Sequence, residues 1–257
     1  MTTPPTSKQD RHERLAEIIF AKGTVRVEDL QDEVGVSAMT LYRDLAELER
    51  RRVIIRTRGE VSAAATSLSE TSFSFRITQE TAPKTALAKL AAPLINRGDS
   101  VLVDDSSTAY FALQEVLGHG RLTVVTNCQG PAQLISSQPQ DELIVIGGRF
   151  LPSLQACYGQ MANRSLSQLR VDIALLGAAA IQEGRVFHPY EDVASFKAEA
   201  VAQAAMSVLM VTASKFERTA LYEVATLDDF DVVITDRGTD PWLTRAAEAG
   251  VRVLRPH

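Results

Sequence analysis

Arg50, Arg51, Arg52, Arg56 and Arg58 fall within nine positions with no acid among them. Planar guanidinium groups offer paired donors to phosphate oxygens, so such a cluster can grip a nucleic-acid backbone or reach into a minor groove. Just upstream, Ser37, Met39, Thr40, Tyr42 and Arg43 are residues able to touch base edges if a helix holds them outward. A second set lies further on. Asp104-Asp105-Ser106-Ser107-Thr108, Thr126-Asn127, Gly147-Gly148, Gly177-Ala178 and Ser214-Lys215 each follow a short apolar run. Together these carboxylates, hydroxyls and ammonium can surround a small polyol. Ser106, Ser107 and Thr108 precede an apolar helix, where hydroxyls and helix-end amides attract phosphate. Asp104 can bind sugar hydroxyls, Lys215 a phosphate or carbonyl-derived oxygen, and Glu191 or Asp192 further hydroxyls. Asp104 and Ser106 can equally serve as plain helix caps, and Asp192 with Lys197 reads as a solvated pair. Gly147 and Gly148 can let a ligand approach the backbone. His188 is given no role.

The elements that must hold the first set are short and patterned. Val27, Leu30 and Val34 form an apolar stripe at helical spacing, Gly35 ends that helix, and Ser37 can cap the next. The second helix begins near Ala38 with Leu41, Leu45 and Leu48 inward, so Met39, Thr40, Tyr42 and Arg43 are expected to project outward. Alternation from Val53 to Arg58 before Gly59 reads as a hairpin wing, with Arg52, Arg56 and Arg58 along phosphates. A further helix from about Asp10 to Ala21 precedes them, with Leu15, Ile18 and Ile19 inward. An ordinary helical hairpin with a solvated arginine patch is the rival reading. The capped turn, the outward Thr40 and Arg43, and the wing together favour a winged helix-turn-helix on double-stranded DNA.

The boundaries expected are a disordered tail over 1–9, the DNA-binding module over 10–60, a linker or crossover over 61–80, and a second domain over 81–257. Residues 61–72, VSAAATSLSETS, are small and hydroxylated, as in a linker. Phe73-Ser74-Phe75-Arg76-Ile77 alternates like a strand, although a flexible connector is an equal reading. Beyond Pro83, helices alternate with apolar runs at Val101–Val103, Leu122–Val125, Leu143–Ile146, Ile173–Leu176, Val208–Val211 and Val232–Ile234. Strands apolar throughout belong to a parallel sheet covered on both faces, so the class is α/β with a mostly parallel, Rossmann-like sheet. Ligands of such sheets sit beyond the carboxyl ends of the strands.

Charge agrees with this division. The net charge is -5, but residues 1–60 hold eleven basic and eleven acidic side chains, leaving all the excess acid to the larger domain. DNA should avoid that domain. Cys128 and Cys157 are the only cysteines, without CxxC or histidine at ligand spacing, so neither a disulfide framework nor a metal site is expected. No signal core and no apolar run of about 18 residues is present, and a cytoplasmic protein is expected. GxGxxG, GxxxxGK[ST], GxSxG and HExxH are all missing, which argues against dinucleotide redox chemistry; no cofactor and no catalytic residue is assigned.

The chain resembles the DeoR family of transcriptional regulators across nearly its whole length. VEDLQDEVGVSAMTLYRDLAELERRRVI resembles the family's winged helix-turn-helix signature. Lys84 opening a helix, then VLVDDSST, VVTNC, VIGG, DIALLGA and VTASKF, resemble its sensor domain. The resemblance implies a ribose-5-phosphate-isomerase-like fold that senses a phosphorylated sugar, with effector roles for Asp104, Ser106, Ser107, Thr108, Thr126, Asn127, Gly147, Gly148 and Lys215. Ser106 stands where the family usually has glycine, Tyr42 replaces a usual arginine, and Gln182–Val193 departs from the family pattern. The expectation is a homo-oligomeric repressor, dimer or tetramer, of a carbohydrate operon, relieved by a sugar phosphate and without enzymatic activity. The alternative is a sugar-phosphate isomerase or deaminase carrying an accessory DNA module, since a carboxylate and a lysine can move a proton. Activation is a third, weaker reading.

Overall fold

The computed structural model describes residues 8–22, 24–50, 53–63, 70–118 and 120–256. The amino-terminal module runs α1 (Lys8–Lys22), β1 (Thr24–Arg26), α2 (Val27–Val34), α3 (Ala38–Arg50), β2 (Ile54–Thr57) and β3 (Glu60–Ala63). Leu15, Ile19, Leu30, Leu41, Leu45 and Leu48 are fully buried in one core. Each contributes about 1.5–3 kcal/mol by leaving water. Gly35 closes α2 at φ 69, a left-handed conformation that lets its amide reach the Gln31 carbonyl. The wing is an antiparallel sheet in the order β1-β3-β2; β1 is too short to show in the sequence, and β3 continues to Ala63. Residues 1–7, the core of the expected tail, lie outside the described residues, and α1 starts at Lys8.

Phe73–Ile77 is not a strand. Phe73–Arg76 forms a single helical turn, α4, started by the Ser72 hydroxyl, which accepts the Phe75 amide at 3.3 Å. Residues two apart share a face on a strand but point to opposite sides of a helical turn, so Phe73 and Phe75 give a strand's pattern because both sides of the turn are buried. Phe73 enters one core of the larger domain, whereas Phe75 enters the core of the amino-terminal module.

The larger domain contains α5 (Thr81–Ala91), β4 (Ser100–Val103), α6 (Ser107–Val116), β5 (Thr123–Thr126), α7 (Gln129–Ser136), β6 (Glu142–Val145), β7 (Arg149–Leu151), β8 (Ala156–Tyr158), α8 (Gln160–Leu166) and β9 (Val171–Leu176). It continues through β10 (Ala180–Gln182), β11 (Arg185–His188), α9 (Glu191–Gln203), β12 (Ala204–Val211), β13 (Tyr222–Thr226), β14 (Val232–Thr235), α10 (Pro241–Glu248) and β15 (Arg252–Leu254). Seven strands form one parallel sheet in the order β15-β14-β12-β9-β4-β5-β6, with a packed core on each face. The six apolar runs are six of its strands; β15 is the seventh. The short antiparallel sets β10-β11-β13 and β7-β8 are additions with no signal in the apolar pattern. Strand order reverses between β4 and β9, which opens a crevice at their carboxyl ends. Among the described residues no helix is long and apolar enough to cross a membrane.

Candidate functional site

On α3, Ser37 acts as the expected cap, its Oγ accepting the Thr40 amide at 3.3 Å. The Thr40 and Ser37 hydroxyls lie 2.9 Å apart, so Thr40 is half-buried and engaged rather than free and outward. Met39 is 84% exposed, Tyr42 51%, and Arg43 is also exposed. The opposite face is anchored by Asp44, fully buried, which accepts Arg11 Nε at 2.9 Å and lies 3.2 Å from His12 Nε2. On the wing, Arg58 is exposed at the turn, while Arg56 is half-buried, stacked 5.7 Å from the Tyr42 ring centroid and 3.7 Å from Glu49. Arg56 is therefore held by its own module, against the expectation of a free phosphate contact. Arg52 lies outside the described residues. What remains is an exposed helix face of Met39, Tyr42 and Arg43 beside a basic wing tip.

At the sheet's reversal point β4 delivers Asp104 and Asp105, both buried, and β9 delivers Gly177. Asp104 accepts the Ser106 amide at 2.7 Å and the Gly177 amide at 3.3 Å, and is ion-paired with Lys197 of α9. Asp105 lies 3.0 Å from Arg76 and 3.3 Å from Lys197. Lys197 is thus a buried bridge between two carboxylates and not a solvated partner of Asp192, which pairs with Arg149 instead. Burial raises the Asp104 carboxyl above the usual carboxylate range against the pull of Lys197. Burial would raise Asp105 too, but Lys197 and Arg76 hold it well below that range.

Ser106 caps α6, its Oγ accepting the amides of Thr108 and Ala109 at 3.2 Å each. These internal bonds occupy amides that the sequence offers to a phosphate, with Ser107 and Thr108 buried in the first turn of α6. A Cβ on Gly177 would stand 2.2 Å from Ser106 Oγ. Gly177→Ala is expected to cost about 1–3 kcal/mol, as overpacking does, and Ser106→Gly in the same chain to restore most of it. Chemical denaturation of the single and double variants checks this; equal stability of Gly177→Ala with and without Ser106→Gly would contradict it.

Thr126 Oγ1 donates to the Val103 carbonyl at 2.6 Å and accepts the Cys128 amide at 3.0 Å, so its hydroxyl joins strand ends instead of facing a ligand. Asn127 Nδ2 donates to the Cys157 carbonyl at 2.9 Å, Tyr158 Oη lies within reach of Asp105 and Asn127, and Asn127 Oδ1 and Arg76 Nε are buried without a hydrogen-bond partner among the described residues. Buried polar atoms left open in this way fit a place where a polar ligand docks. Gly148, at φ 156, is approached by the Tyr158 carbonyl, which a Cβ would meet at 2.7 Å; Gly147 is exposed. Asp236 accepts the Ala213 amide at 2.6 Å, Glu191 is exposed on α9, and His188 is buried, its ring pushed by burial down to about 3.

Lys215 follows β12 and lies 3.9 Å from Glu70, a buried carboxylate absent from the sequence reading. Burial pushes Lys215 down to about 8, opposed by Glu70. Burial and the charge of Lys215 push Lys84 to about 7, although its Nζ donates to the carbonyls of Arg76 at 2.5 Å and Gln79 at 2.6 Å. Burial would raise Glu70, but Lys215 and Arg76 hold it at about 2. The crevice therefore gathers Arg76, Lys84, Lys197 and Lys215 with Glu70, Asp104 and Asp105; burial lowers Lys84 and Lys215, whereas the two aspartates raise Lys197. Of these, Glu70, Arg76, Lys84 and Lys197 have no signal in a strand-exit reading, and Asp105 stands at a strand exit without an assigned role. A charged residue inside the apolar stretch FSFRI was the one available hint of Arg76.

Residues 79–237 match the family model for the DeoR C terminal sensor domain, and residues 11–67 match the model for the DeoR-like helix-turn-helix domain. The chain is 32% identical over 230 residues to the HTH-type transcriptional repressor GlcR of Bacillus subtilis, covering 88% of this chain and 89% of that protein. It is 29% identical to a putative aga operon transcriptional repressor of Escherichia coli O157:H7, over 97% of this chain and 94% of that protein. Ribose 5-phosphate isomerase A of Methanocaldococcus jannaschii aligns at 18% identity with a TM-score of 0.38, over 52% of this chain and 53% of that one. With a helix-turn-helix module and a sensor domain both matched in order along its length, the chain belongs to the DeoR family of transcriptional regulators.

Proposed function

We propose that the chain is a non-enzymatic repressor of a carbohydrate operon, released from its operator by a phosphorylated sugar. Residues 10–60 bind double-stranded DNA, 61–80 connect, and 81–257 sense. Ser37, Met39, Thr40, Tyr42 and Arg43 lie along the base edges, with Arg52 and Arg58 on phosphates and Arg56 holding the wing against Tyr42. Asp104, Ser107, Thr108, Asn127 and Gly147 line the sugar, and Lys215 takes the phosphate; Ser106, Thr126 and Gly148 shape the loops around them. The chain acts as a homo-oligomer, because one recognition helix reads few base pairs and paired modules raise affinity through effective concentration.

The observation that carries this reading is the convergence of Arg76, Lys84, Lys197 and Lys215 at the point where strand order reverses. Burial disfavours the charged forms of Lys84 and Lys215, so an anion bound beside them would favour both. The relatives' names point the same way: a GlcR repressor, an aga operon repressor and a lactose phosphotransferase system repressor. Against catalysis stands the carboxylate that a proton transfer would need, since Asp104 is committed to two amides and Lys197. Arg43→Ala is expected to change which bases are preferred in a duplex selected from random sequence. Arg58→Ala is expected to weaken all duplexes alike and to lower the salt slope by about one unit. Unchanged binding by both variants at low salt would refute the assignment, and turnover of a sugar phosphate at enzymatic rates would refute the non-enzymatic reading.

A further inference from the structure

The stretch from Glu70 to Arg76 fastens the two modules through the crevice itself. Glu70 is 3% exposed, and its Oε1 accepts the amide of Thr71 at 2.8 Å while Oε2 faces Lys215 at 3.9 Å. At the other end Arg76 donates to Asp105 at 3.0 Å, and Lys84 grips the carbonyls just beyond. Between them Phe73 is seated so closely that a Cβ on Gly130 would stand 2.5 Å from its ring. Phe75, two residues on, lies inside the core of the DNA-reading module. One short segment therefore touches the sensor's cations, its carboxylates and the interior of the other module. Glu70 also holds, as an anion, the lysine that a ligand phosphate would use. A buried ammonium cannot fully serve two anions, and a carboxylate stripped of its counter-charge in a buried site is strongly unfavourable.

We propose that Glu70 is a built-in occupant of the anion subsite, that a phosphorylated sugar displaces it from Lys215, and that its release loosens α4 and withdraws Phe75's support from the DNA-reading module. This rests on reading the crevice as a phosphate site. The ligand's effect on DNA then needs no contact with the recognition helix. It needs only to break one ion pair on a segment shared by both cores, the kind of differential contact that couples two sites.

Hydrogen exchange followed by mass spectrometry on the full chain, with inorganic phosphate as titrant, tests this. In the wild type, phosphate is expected to slow exchange over residues 212–218 and to speed it over 70–78. In Glu70→Gln, exchange over 70–78 should be fast without phosphate, and phosphate should bind about tenfold more tightly, a change of about 1.4 kcal/mol. Glu70→Asp, which keeps the charge, should behave nearly as wild type. Protection of 212–218 with no change over 70–78, and equal phosphate affinity in Glu70→Gln, would overturn the displacement while leaving the phosphate site standing. No protection of 212–218 in any chain would remove the phosphate site and the displacement with it. The wild-type arm decides the matter even if Glu70→Gln folds poorly.

Discussion

Lys197→Met is expected to destabilise the chain by about 3–5 kcal/mol near pH 7, the cost of removing one partner from a buried ion pair. Methionine fills a similar volume, so the loss is electrostatic. Asp104 and Asp105 would remain buried side by side, with Arg76 reaching Asp105 alone. Without the ammonium, burial and mutual repulsion must raise a folded-state carboxyl above its unfolded value. A group raised in this way stabilises the fold at low pH and loses that contribution as pH rises through its folded value. The stability gap between variant and wild type should therefore narrow as pH falls through the raised carboxyl's folded value toward its unfolded value of about 3.9. Urea unfolding at several pH values measures the gap. A constant gap would mean that Lys197 acts by packing and that the carboxylates are not coupled through it.

Lys215→Met should leave DNA affinity intact and weaken a phosphorylated sugar about 10- to 100-fold, since a hydrogen bond to a charged group contributes about 1.5–3 kcal/mol. The wild type adds a second signature. Burial pushes Lys215 down to about 8 and Lys84 down to about 7. A bound phosphate raises both, so near pH 8 the protein takes up protons on binding, seen as a dependence of the calorimetric heat on the buffer. In Lys215→Met the uptake should fall with the affinity. Unaltered affinity and unaltered uptake in the variant would place the phosphate elsewhere.

The helices of the amino-terminal module and the parallel sheet were legible because their signals are local. Leu41, Leu45 and Leu48 repeat at helical spacing, Gly35 and Ser37 mark the turn between helices, and six apolar runs of strand length lie between helical stretches. Asp104 and Lys215 stood out because they follow strands. The rest depended on pairings between distant positions. Glu70 and Lys215, Arg76 and Asp105, and Lys197 with Asp104 join residues whose nearness only the fold creates. For Ser106 the sequence offered a hydroxyl that fits either a ligand or a cap, and it caps α6; the Thr126 hydroxyl instead ties the ends of neighbouring strands. The Phe73–Ile77 turn was missed because two cores lie on opposite sides of it, producing a strand's alternation in a helix.

The most direct test of control from the crevice is a competition on DNA. The wild-type chain is bound to a fluorescent duplex selected from random sequence, then titrated with a panel of phosphorylated sugars and their unphosphorylated parents. Release by at least one phosphorylated sugar, with no release by its parent and none from Lys215→Met at the same concentration, is the predicted result. Release by a parent sugar as readily as by its phosphate, or equal release from Lys215→Met, would contradict it.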